Sequence, residues 1–115
     1  DILEAVNSTT TKRIVVSIQN NGTLDFLRPD DVIEISCDLS RDGLKPVTPV
    51  KVPTAQKNMI ACVKEYERLA VAAILQQDKS LAVRALMAHP LIGSYSLAKT
   101  LVEAYLDDEQ FAAWR

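Results

Sequence analysis

Ile33-Glu34-Ile35-Ser36-Cys37-Asp38-Leu39 is the stretch that decides the fold. Its apolar and polar residues alternate, so an extended backbone puts Ile33, Ile35, Cys37 and Leu39 on one face and Glu34, Ser36 and Asp38 on the other. That pattern is a strand with one covered face and one wet face. Before it, Arg28-Pro29-Asp30-Asp31 makes a turn. After it, Asp42-Gly43 signals a hairpin from which Leu44-Lys45 can pair back. Further upstream, Arg13-Ile14-Val15-Val16-Ser17-Ile18 is β-branched and mostly apolar, a second strand expected to be covered on much of both faces. Asn20-Asn21-Gly22 closes it with residues that tolerate the left-handed backbone of a tight turn. Residues 2–10 read as the tail of a helix, with Ile2, Leu3 and Val6 near one face and poor helix formers from Asn7 to Thr11.

Downstream, Pro46, Pro49 and Pro53 forbid a central strand and make a connector. From Thr54 the period becomes helical. Ala55, Met59, Cys62, Val63, Tyr66, Leu69, Ala70, Ala73 and Ile74 follow three-and-four spacing, with Thr54 as the expected cap. Asp78 can cap a second helix carrying Leu81, Ala85 and Leu86, which must stop near His89 because Pro90 follows. Ser94 or Ser96 can open a third with Leu97, Leu101, Val102 and Tyr105, and Asp107-Asp108 a last short one bearing Phe111 and Trp114. The expected class is therefore α+β: short antiparallel strands and a hairpin over residues 1–53, then a helical half over 54–115.

The 115 residues are 48% hydrophobic and 24% charged, which fits one globular domain and excludes a disordered chain. Thirteen basic and 15 acidic residues give a net charge of −2, which argues against nucleic acid as a partner. No apolar run approaches the length of a membrane span, and no secretory leader opens the chain. The first residue is Asp1 and the only methionines are Met59 and Met87, so the chain reads as a fragment or processed product.

Few residues here suggest chemistry. Cys37 and Cys62 lie in apolar patterns without Cys-x-x-Cys spacing, so both read as buried free thiols suited to a reducing compartment. His89, the single histidine, is expected as a helix-end imidazole whose charge the helix dipole favours. Asp30 and Asp31 are adjacent and, if extended, point to opposite faces; turn chemistry explains them better than an acid–base pair. Pro46-Val47-Thr48-Pro49 is a weak polyproline-ligand pattern. Helix–Gly93–helix lacks the basic base-reading face of a helix-turn-helix. Tyr66, Tyr95, Tyr105, Phe111 and Trp114 read as core or interface anchors. Three glycines make no phosphate fingerprint, and no Cys, His and carboxylate cluster supplies a metal site. By itself the chain offers no self-sufficient enzyme.

Taken in order, four segments resemble family-4 glycoside hydrolases. They are Asn20 through Cys37, Arg41-Asp42-Gly43 with Pro46, Val63-Lys64-Glu65-Tyr66-Glu67-Arg68-Leu69, and Ala85-Leu86-Met87-Ala88-His89-Pro90-Leu91. They follow one another from Asn20 to Leu91, within residues 14–106, and among the family's members the 6-phospho-β-glucosidases look most similar. The resemblance implies that residues 1–115 are a single C-terminal domain, similar to that of lactate and malate dehydrogenases, with an N-terminal NAD-binding Rossmann domain outside this sequence. It implies NAD and a divalent metal, Mn²⁺, as cofactors of the whole enzyme. There hydride transfer to NAD⁺ and metal-stabilised enediolate chemistry cleave a phosphorylated sugar, an exception to two-carboxylate hydrolysis. The family's NAD loop, metal ligands and base match nothing in this chain, so the expected catalytic, cofactor-binding and metal residues are none. The fragment is expected to be inactive alone, cytoplasmic, part of a homo-oligomer, and to show apolar patches at Met59, Leu75 or Phe111. Other activities of the same family, toward 6-phospho-α-glucosides, α-galactosides or glucuronides, stay open, as does a non-catalytic α+β oligomerisation module.

Overall fold

The computed structural model describes residues 2–7, 10–49, 51–107 and 112–114. These form two compact units, divided between Val52 and Pro53. The class is α+β, as the alternation and the later helical period require.

The first unit holds a short helix α1 (Ile2–Asn7) and three antiparallel strands, β1 (Lys12–Gln19), β2 (Val32–Ser40) and β3 (Gly43–Pro46), in spatial order β1-β2-β3. β2 is central, and Ile33, Cys37 and Leu39 are buried on its inner face. Its register sets Ile18 against Ile33, Val16 against Ile35 and Ile14 against Cys37, so one apolar face runs across both strands. β1 is not covered on both faces as its composition suggested. It lies at the sheet edge, its side chains alternate between exposed and half-buried, and Val15 is 62% exposed. β-branching marked the strand correctly, but apolar composition does not report what lies against its outer face.

Asn20-Asn21-Gly22-Thr23 is a tight turn. Asn21 and Gly22 take positive φ, 44° and 84°, and the Thr23 N–H donates to the Asn20 carbonyl at 2.8 Å. The second hairpin pairs Ser40 with Gly43, so Arg41 and Asp42 form the loop, and Gly43 opens β3 at φ 106°. Pro46 sits on the edge strand, where its missing N–H costs no ladder bond to a further strand.

The second unit consists of α2 (Thr54–Gln76), α3 (Lys79–Ala88) and α4 (Tyr95–Tyr105). Thr54 does not cap α2. The N-cap is Pro53, extended at φ −60° and ψ 149°, without a side-chain bond; its carbonyl receives the Lys57 N–H at 3.0 Å. Thr54 thus already lies within the helix. Gln77 ends α2 in the left-handed region at φ 52°. The other two caps fall as the sequence requires. Asp78 accepts the Leu81 N–H at 3.0 Å and Ser94 the Leu97 N–H at 3.1 Å, while Ser96 only touches the Ser94 hydroxyl. His89, extended before Pro90, stops α3. The helices bury small residues at Ala73, Ala85 and Ala98, with Val102 beside them. The short last helix expected around Asp108 and Phe111 lies outside the described residues.

Candidate functional site

Among the described residues the most organised polar feature is the loop between β1 and β2. Asn20 is fully buried, 0% exposed, and its side chain makes four hydrogen bonds to loop backbone. Its amide nitrogen donates to the carbonyls of Leu24 at 3.0 Å, Leu27 at 3.3 Å and Arg28 at 3.0 Å, and its oxygen accepts the Leu24 N–H at 2.8 Å. Its backbone N–H also reaches the Asp31 carbonyl at 2.7 Å, which closes the loop at its base. Asp31, also buried, accepts the Arg28 N–H at 2.9 Å through Oδ2. Asp30 is exposed. Asp31 therefore holds a turn, as expected, and the pair is not set up to share one substrate atom. Sequence alone marks Asn20 as a turn residue; periodicity carries no sign that a polar side chain at a strand's end will be buried.

The thiols part company. Cys37 is free and buried in β2, but Cys62 is free and exposed. The side of α2 that is covered follows Val63, Tyr66, Ala70 and Ala73, and Cys62 stands one residue off that stripe. The expectation of two buried thiols is thus corrected at Cys62. His89 stands at the C-terminal end of α3, as expected, and its Nδ1 accepts the Leu91 N–H at 3.2 Å. Its ring meets Tyr66 edge-on, centroids 4.8 Å apart. Tyr66 is half-buried, as is Trp114, whereas Tyr95 and Tyr105 are exposed and anchor no core here; Phe111 lies outside the described residues. Met59 and Leu75 are exposed, 62% and 79%, as expected of apolar surface left open.

The helical unit contains an apolar cleft of about 340 Å³ walled by Tyr66, Ala70, Ile74, Leu86, Tyr105 and Trp114. It offers shape without reactive groups. Among the described residues no set of three or more His, Cys, Asp or Glu could hold a metal ion. Gly22 and Gly43 belong to hairpin turns and Gly93 to the α3–α4 connection, so none opens a helix in a phosphate-binding loop. No described helix is long and apolar enough to cross a membrane.

The described residues thus form an α+β fold whose β1–β2 loop is closed by the Asn20 hydrogen bonds. Residues 1–92 match the family described as Family 4 glycosyl hydrolase C-terminal domain, and the chain belongs to that family. It is 36% identical over 93 residues to 6-phospho-beta-glucosidase BglT of Thermotoga maritima, covering 81% of this chain and 22% of that protein. It is 23% identical over 107 residues to phospho-alpha-glucosidase PagL of Clostridium acetobutylicum, covering 93% of this chain and 24% of that one. In three dimensions it resembles the Thermotoga maritima 6-phospho-beta glucosidase solved with manganese, NAD⁺ and glucose-6-phosphate. The TM-score is 0.79 at 31% identity, over 95% of this chain and 27% of that one. The chain thus spans about a quarter or less of the relatives that it matches.

Proposed function

We propose that this chain is the C-terminal domain of an NAD- and divalent-metal-dependent 6-phospho-β-glucosidase, and that it is inactive by itself. The observation that carries the reading is the 36% identity to a 6-phospho-beta-glucosidase over 81% of the chain. The described residues supply no donor set for manganese and no glycine loop for NAD, so no reaction step is assigned to them. Their work is structural. Asn20 fixes the β1–β2 loop, and the alanine contacts hold α2, α3 and α4 at close approach. Cofactors and the phosphorylated sugar are held by the remainder of the enzyme, which we place in the cytoplasm as a homo-oligomer. The exposed Met59 and Leu75 support the burial of these helices against further protein.

A second reading keeps the family and changes the anomer. The likeness to the phospho-alpha-glucosidase is weaker in identity but runs over more of the chain, 93% against 81%. The test is to assay this chain and a longer protein containing it on a 6-phospho-β-glucoside with NAD⁺ and Mn²⁺. Turnover by the longer protein alone is expected. Turnover by this chain, or none by either, refutes the proposal.

A further inference from the structure

Two cations of α2 are matched on their own helix: Lys64 pairs with Glu67 at 2.6 Å and Arg68 with Glu65 at 3.0 Å. Between α3 and α4 that matching fails. A groove of about 290 Å³ there is floored by Val83 and Val102 and rimmed by Lys79, Arg84 and Lys99. Glu103 is the one carboxylate that lines it, and it reaches Lys99 only at 3.7 Å. Among the described residues Lys79 and Arg84 have no ion-pair partner. The neighbouring carboxylate of Asp78 is turned to the Leu81 N–H as a helix cap. Three positive groups and one negative group therefore share a groove on a chain whose net charge is −2.

Like charges gathered round an apolar floor repel one another, and a doubly charged anion between them reverses the sign of that interaction. The hydroxyls of Ser80 and Tyr95 add neutral donors to the same lining. The volume lies at the small end of ligand sites and suits a single phosphate group with little attached.

We propose that the α3–α4 groove binds a phosphate dianion, with Lys79, Arg84 and Lys99 as its charged donors. The dianion is either free phosphate or the head of a small phosphate monoester; Tyr95 at the rim offers a ring face only the second would use. This inference is read from the groove alone and does not depend on the activity proposed above. Arg84 supplies a planar two-pronged donor, while the lysines act as point charges.

The test titrates the isotope-labelled 115-residue chain with inorganic phosphate, glucose 6-phosphate and glucose, following backbone amides by NMR. Phosphate and the ester are expected to shift amides of residues 79–84 and 95–103 saturably, and glucose to shift none. A tighter ester identifies a monoester site; equal binding identifies free phosphate. Arg84→Gln and Lys99→Gln should each weaken binding about tenfold, the effect of losing one charge-assisted bond. Glu103→Gln keeps every donor and should tighten binding several-fold, which separates a lost site from a lost fold. Added salt should weaken binding throughout. The proposal is overturned if these amides do not move, if shifts concentrate elsewhere, or if the three substitutions leave affinity unchanged.

Discussion

Replacing Asn20 with alanine removes four hydrogen bonds at a fully buried position. The amide nitrogen serves three carbonyls, and its bond to Leu27 is buried while those to Leu24 and Arg28 are partly buried. A buried polar group left without a partner costs about 1–3 kcal/mol, and water can repair the partly exposed ones. A net loss of about 2–4 kcal/mol follows, and about 3 kcal/mol of it would speed opening of the β1–β2 ladder roughly hundredfold. Native-state hydrogen exchange on the strand amides measures that directly, because the loop is anchored to both strand ends through Asn20 and Asp31. Asn20→Asp sharpens the test. It keeps the acceptor for the Leu24 N–H but turns a carboxylate toward three carbonyls, which raises its folded pKa above the unfolded value. The penalty should then grow as pH rises through the carboxylate range and shrink in acid, where the protonated group donates one bond. Exchange in Asn20→Ala within about twofold of the wild type would refute the hub role given to this residue.

Three further substitutions probe other parts of the chain. Arg13 holds Asp38 through two bonds, 2.8 and 3.0 Å; the hydrogen bond keeps the Asp38 carboxyl below its ordinary range, partial desolvation opposes this, and charge attraction adds to the lowering. Its stabilising contribution is present above the unfolded carboxyl range and is lost as pH falls through the folded value; Arg13→Ala should move the Asp38 midpoint up in an NMR titration. Asp78→Ala removes the cap bond to Leu81 and should cost the helical unit about 1 kcal/mol in urea denaturation followed by circular dichroism. Ala98 is 0% exposed where α4 packs, so Ala98→Leu should overpack it by about 1–3 kcal/mol in the same assay, where an unchanged midpoint would contradict the close packing.

What sequence made legible was local. The alternation at Ile33–Leu39, the turn chemistry of Asn21-Gly22 and the Asp78 cap each encode geometry within a few residues, and the structure carries all three. What it hid was relational. The exposure of Val15 depends on what lies against the outer face of β1, and the exposure of Cys62 on which stripe of α2 meets α3. The burial of Asn20 depends on a loop folding over it, eleven residues' worth of chain whose carbonyls find one amide. Thr54 shows a finer limit: a good capping residue was displaced by one position because Pro53 already takes the extended backbone a cap needs. The groove between α3 and α4 escaped reading because Lys79, Arg84 and Lys99 are scattered in sequence and meet only when two helices pack.

The proposed function makes these residues part of an enzyme specific for 6-phospho-β-glucosides. The most direct measurement is kcat/KM of a longer protein containing the chain on matched β- and α-linked 6-phosphoglucosides, with NAD⁺ and Mn²⁺ present. A clear preference for the β-linked substrate is expected; preference for the α-linked one, or cleavage of neither, would contradict the proposed function.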